Sequence, residues 1–177
     1  MTHVTHTQTI ATDRSGLAEA LGTVGAAMER GVLTVPEDVP ATEAAIELAR
    51  ARVGGAPVVR AGRVVGVVSA ADLYEKTGHT HAQTQGPFLR AERHLAGFRV
   101  ADVMTRDPVT VRAATPLADA VRVMEEAGVN RLPVVDERDR PIGILARDDV
   151  LHALVRAVRA EGLPSADGIL APRMAPG

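Results

Sequence analysis

The chain has 177 residues, 46% of them hydrophobic but only 2% aromatic, with a formal net charge of −2 and no cysteine. That length suits one compact domain or two small packed ones with an aliphatic core, while the charge and the few rings give nucleic acid neither long-range attraction nor a stacking surface. Disulfide and thiolate chemistry are excluded, and no apolar run approaches the ~20 residues of a membrane span, so a soluble cytoplasmic protein without membrane or nucleic-acid partners is expected.

Residues 1–13 are polar and rich in Thr and His, and Ser15 is placed to cap a short helix to about Leu21. Val32 to Val35 reads as a short strand and Pro36 to Val39 as a turn. Thr42 then caps a helix to about Arg52, with Ala45, Leu48, Ala49 and Arg52 on one side, and Gly54 and Gly55 stop it. Ala56 to Val59 and Arg63 to Ser69 are valine-rich runs joined by Arg60, Ala61 and Gly62, a hairpin signal, and a second helix starts near Ala70.

The same order returns downstream. Pro108 to Val111 is the strand, and Thr115-Pro116 opens a helix in which Leu117, Ala120, Val121 and Met124 share a face. Leu132 to Val135 and Pro141 to Leu145 form a hairpin across Asp136 to Arg140, and Asp148 or Asp149 caps a helix through Leu151, Leu154, Val155 and Val158.

These two segments are diverged copies of one unit. Between Val24 and Val59, 12 of 36 positions are identical to the residue 76 further on, among them Met28 and Met104, Thr34 and Thr110, and Pro40 and Pro116. About two matches are expected by chance from ordinary composition. One extra residue in the second turn shifts the offset to 77, which pairs Arg63, Gly66 and Asp72 with Arg140, Gly143 and Asp149. The unit is strand, helix, strand, strand, helix, and neither copy could bury its sheet face alone, so the two are expected to pack sheet against sheet.

Three motifs in order resemble the cystathionine-β-synthase (CBS) domain: Met104-Thr105-Arg106-Asp107-Pro108-Val109-Thr110-Val111, Asn130-Arg131-Leu132-Pro133-Val134-Val135-Asp136, and Gly143-Ile144-Leu145-Ala146-Arg147-Asp148-Asp149. Residues 24–74 resemble its tandem partner. The resemblance implies an α/β (α+β) fold of two CBS repeats packed sheet to sheet with pseudo-twofold symmetry. The first would occupy residues 24–76 and the second 100–160, with an N-terminal tail and short helix at 1–23, a linker at 77–99 and a C-terminal tail at 161–177. It also implies two clefts between the repeats, which in many members bind AMP, ADP, ATP or S-adenosylmethionine, and assembly into a homodimer.

The residues that the resemblance puts in those clefts also have a physical reading of their own. A helix opening directly after a buried strand presents unpaired N–H groups, and an ionised Asp there accepts hydrogen bonds from ribose hydroxyls. Asp72 and Asp149 stand at such places. Plain helix capping is the simpler account of a single Asp, but two at matched positions behind Gly-led apolar strands favour a ligand. Ser69 precedes Asp72 by three residues and fits the family pattern as a second contact, whereas Ala146 takes that place before Asp149.

By the resemblance, each cleft borrows from both copies. The Asp72 cleft takes Met104, Val109, Val129 and Asn130 from the second repeat. The Asp149 cleft takes Met28, Leu33, Val53 and Gly54 from the first, with Asn130 and Arg131 near its own ribose. Arg131 and Arg147 are the phosphate donors expected by position, since a guanidinium fork matches phosphate oxygens, and their counterparts Gly55 and Ala70 carry no charge. Only the Asp149 cleft is therefore expected to hold a phosphate clamp.

His3, His6, His79, His81 and His94 lack a Cys or carboxylate partner at ligand-like spacing, so no metal site is expected. No His stands in a motif with a nucleophile and no Walker-type loop is present, so no catalytic residue is expected either. The sequence thus reads as a stand-alone regulatory module that binds an adenine nucleotide or adenosyl ligand and needs no resident cofactor. Alternatives are a ligand-free structural or dimerisation module, and a regulator of a separate enzyme or transporter through protein contacts.

Overall fold

The computed structural model describes residues 14–75, 95 and 97–160. The sequence-based linker and both outer tail segments fall largely outside them. Helix α1 (Arg14–Leu21) leads into the short α2 (Val24–Ala27), then β1 (Glu29–Arg30), β2 (Val35–Pro36), α3 (Ala41–Ala51), β3 (Gly55–Arg60), β4 (Arg63–Ser69) and α4 (Ala70–Glu75). The second repeat follows with α5 (Val100–Val103), β5 (Thr105–Arg106), α6 (Leu117–Ala127), β6 (Arg131–Val135), β7 (Pro141–Ala146) and α7 (Arg147–Ala160).

The strands form two sheets, β2-β3-β4-β5 and β1-β7-β6, and each contains one strand from the other repeat. Strand β5 pairs antiparallel with β4 through Gly66↔Arg106 and Val67↔Thr105, and β1 pairs with β7 through Glu29↔Ile144 and Arg30↔Gly143. The expected strands at Val32–Val35 and Pro108–Val111 shrink accordingly. Only Val35–Pro36 pairs in the first, and Val111 alone bridges to Val134 in the second. Valine content signalled extended chain, but the ladder partners start one or two residues away.

Exchange of lead-in segments also divides the core. One buried cluster joins Val35, Leu48, Val58 and Val68 to Leu95, Val100, Val103 and Met104; the other joins Leu117, Met124, Leu132 and Leu145 to Val24 and Met28. Each repeat therefore completes its hydrophobic core with a helix from its partner, and apolar burial, at about 25 cal/mol per Å2, ties the pair into one folding unit.

Two glycines make room for this. A Cβ on Gly66 would meet the Met104 sulfur at 2.5 Å and the Thr105 carbonyl oxygen at 3.0 Å; on Gly143 it would meet the Met28 sulfur and the Glu29 carbonyl oxygen, each at 2.7 Å. The glycine that opens each closing motif is thus a seat for the other repeat's methionine and backbone.

Helix ends differ from expectation in instructive ways. Pro40 and Pro116 are the N-caps of α3 and α6, so Thr42 lies inside the first turn instead of capping it. Helix α3 ends at Arg52 in a left-handed conformation, ahead of Gly54 and Gly55, where α6 has Gly128. The first hairpin turns through Ala61 and Gly62, both at positive φ, as a two-residue connection with right-handed strand twist requires.

Candidate functional site

Strand β4 ends at Ser69, and the chain turns directly into α4. There Ser69 and Asp72 form a reciprocal capping box. The Asp72 carboxylate accepts the Ser69 backbone N–H at 2.7 Å and its hydroxyl at 2.5 Å, while the Asp72 N–H donates to the Ser69 hydroxyl oxygen at 3.3 Å. The other carboxylate oxygen accepts the hydroxyl of Thr105, on β5 of the second repeat, at 3.2 Å. Three oxygen-bearing side chains from two repeats meet here, Ser69 and Asp72 half-buried and Thr105 exposed.

The matching place in the second repeat is poorer. Asp149 accepts the backbone N–H of Ala146 at 2.7 Å, and Ala146 has no hydroxyl to complete the box. The position equivalent to Thr105 is Glu29 (29 + 76 = 105), exposed on β1. An Asp in the first turn also complements the dipole of the 14-residue α7.

The loops before β3 and β6 connect to these ends. The Gly54 carbonyl accepts the N–H of Ala70, the first residue of α4, at 3.2 Å, and the Asn130 carbonyl accepts that of Arg147, the first of α7, at 3.1 Å. Arg131 reaches from the start of β6 to the first of these loops. Its guanidinium carbon is 3.0 Å from where a Cβ on Gly54 would stand, so a side chain from the second repeat rests against the first.

The remaining expected site residues scatter. Met28 and Met104 are 7% and 8% exposed and serve chiefly as core. Leu33 and Val53 pack against the first core cluster and Val129 against the second. Val109, Asn130 and Arg147 are exposed. Thr105 is the contact that sequence reasoning missed, although it stands inside the Met104-Thr105-Arg106 motif. Its repeat mate is a glutamate, so comparison of the copies did not mark it.

Comparison with known proteins adds an independent line. A family model described as CBS domain matches residues 24–77 and 100–156. The chloroplastic CBS domain-containing protein CBSX1 of Arabidopsis thaliana is 30% identical over 170 residues, covering 86% of this chain and 72% of its own. The crystal structure of CBSX2 in complex with AMP superposes with a TM-score of 0.64 at 33% identity, covering 76% of this chain and 97% of that one. The protein MJ1232 of Methanocaldococcus jannaschii is 29% identical over 123 residues, 70% of this chain, which spans 36% of that longer relative. No helix among the described residues is long and apolar enough to cross a membrane.

Proposed function

Because this chain belongs to the CBS domain family, we propose that it is a regulatory module that binds an adenine nucleotide or adenosyl compound in the cleft between its two repeats. The observation that carries this reading is the Ser69–Asp72–Thr105 cluster, in which hydroxyls of both repeats converge on one carboxylate. A ligand bound there touches both repeats at once, and it shifts their arrangement by as much as its affinity differs between arrangements. That CBSX2 forms a complex with AMP supports an adenosine-containing ligand, with AMP, ADP, ATP and S-adenosylmethionine as candidates. The role is one of binding, not of catalysis, and its output is a changed surface for a second copy of the chain or for a separate protein target.

Thermal unfolding with AMP, ADP, ATP, S-adenosylmethionine and GTP tests the proposal. A ligand at 100 times its dissociation constant adds about 2.7 kcal/mol, or roughly 5 to 10 °C for a chain of this size. A shift confined to one or more adenine compounds is expected; no shift with any of them overturns the reading.

One observation favours a second reading, a ligand-free dimerisation module. Asp72 and Asp149 both act as helix caps here, a role that needs no ligand. In that case dimer mass is independent of every nucleotide in the panel.

A further inference from the structure

The repeat sets Gly54 and Gly55 opposite Asn130 and Arg131 (54 + 76 = 130; 55 + 76 = 131), and this exchange makes the two clefts unequal. Arg131 leaves β6 toward the first repeat and rests against Gly54, where any side chain would collide with its guanidinium. Gly54 in turn is hydrogen-bonded to Ala70, which lies between Ser69 and Asp72 in the chain. The cation of the second repeat thereby reaches the loop that is hydrogen-bonded to the start of α4, one residue after Ser69. Among the described residues no carboxylate pairs with it.

The position equivalent to Arg131 sends no side chain in the opposite direction. Gly55 occupies the position equivalent to Arg131, and a Cβ there would stand 2.9 Å from the Val68 carbonyl oxygen and 3.2 Å from the Ser69 Cα, so the place is closed to side chains by backbone. Asn130 fills the position equivalent to the Gly54 seat. Ala146 stands for Ser69 and Glu29 for Thr105, which removes two hydroxyls and puts a carboxylate at the position equivalent to Thr105.

We infer that the Asp72 cleft is the single working site, and that Arg131, admitted by Gly54, is its anion-binding group. The inference rests on the ligand-binding reading above and reverses the expectation that Arg131 clamps a phosphate in the Asp149 cleft. It names the ligand class as an adenosine compound bearing phosphate. Asp72, Ser69 and Thr105 offer acceptors and donors for a ribose, and a planar guanidinium fork receives the phosphate oxygens. Gly54 is a positioning residue, since it touches no ligand and acts by leaving Arg131 its seat.

Calorimetric titration of the full chain with AMP and with adenosine tests this, using Arg131→Gln and Gly54→Ala. Wild type is expected to take one AMP per chain. Loss of a charge-assisted phosphate contact should weaken AMP on the order of ten- to a hundredfold in Arg131→Gln while adenosine changes by less than about twofold. Gly54→Ala, which leaves the arginine in the chain but displaces it, should move AMP in the same direction with adenosine again unchanged. Two AMP per chain at equal affinity, or AMP unaffected by both substitutions, or AMP and adenosine weakened alike, overturns the assignment. Failure of wild type to bind either compound overturns instead the ligand-binding reading on which it stands.

Discussion

The Thr105 hydroxyl of the second repeat donates to the Asp72 carboxylate of the first across 3.2 Å, so a side chain that caps one repeat's helix also ties the two repeats together. Capping and the proposed ligand contact make separable demands on Asp72. Replacing it by Ala removes the acceptor of the capping box and should cost about 0.5 to 2 kcal/mol in denaturant unfolding. Affinity for AMP should fall at least about tenfold as well, since two roles are lost together. Thr105→Val keeps the capping box, so it should weaken AMP with a smaller loss of stability. Unchanged affinity in Asp72→Ala, measured by calorimetry, would remove Asp72 from the site.

Gly66 and Gly143 carry a prediction about folding rather than binding. A methyl group on either strikes a methionine sulfur, part of a flexible side chain, but it also strikes a backbone carbonyl oxygen of the exchanged strand, at 3.0 Å for Gly66 and 2.7 Å for Gly143. Backbone held in a ladder yields little, so each Gly→Ala change should destabilise by about 1 to 3 kcal/mol, the usual range for overpacking. Gly143→Ala should be the costlier, because its closest approach to backbone is shorter. Equal stability of Gly143→Ala and wild type in urea unfolding would show that the exchanged strand β1 is loosely held.

Asp136 opens the turn of the second hairpin and supplies its pH dependence. Its carboxylate takes the Arg140 side chain and the backbone N–H groups of Arg140 and Arg138, which together lower its pKa from 3.8 to about 2. The folded form thus holds the proton more weakly than the unfolded one. The stabilisation is fully present above the unfolded value of 3.8 and is lost as pH falls toward about 2. Asp136→Asn should therefore be less stable than wild type near neutrality, with the gap narrowing between about pH 4 and pH 2. A gap that stays constant down to the lower limit would mean that the turn does not depend on the ionised carboxylate.

The duplication, both hairpins and the helices that follow them were legible because their signals are periodic or paired: alternating valines, Gly and Pro punctuation, and the same residues again 76 or 77 positions on. Asp72 stood out because it recurs as Asp149, and Ser69 by its place three residues ahead of it in the family pattern. The exchange of β1 and β5 was not. A two-residue strand has no period of its own, and its partner lies in the other repeat, so nothing local marks where it pairs. The crossing of Arg131 onto Gly54 was hidden likewise. The glycine was read as a helix stop and as a wall of the Asp149 cleft, whereas the helix had already ended at Arg52 and the missing Cβ leaves space for a residue 77 positions away (131 − 54 = 77).

Helix α7, expected to run through Leu151, Leu154 and Val155, carries those three large residues outward. Ala153 and Ala157 are each 4% exposed and face the core, where small side chains let α1 and α2 approach closely, while Leu151, Leu154 and Val155 are 56%, 37% and 41% exposed. Residues at this spacing form one continuous apolar stripe beside the buried face. Such a stripe on a regulatory module suits a helix of a second copy, which would present the same stripe across a twofold axis and match it residue for residue. Leu154→Glu places a charge near the centre of that contact without touching either core cluster. Sedimentation of wild type at micromolar concentration should give a dimer, and the variant should give a monomer with unchanged helical content. A dimer that survives Leu154→Glu would move the interface off α7 and leave the stripe for a different protein.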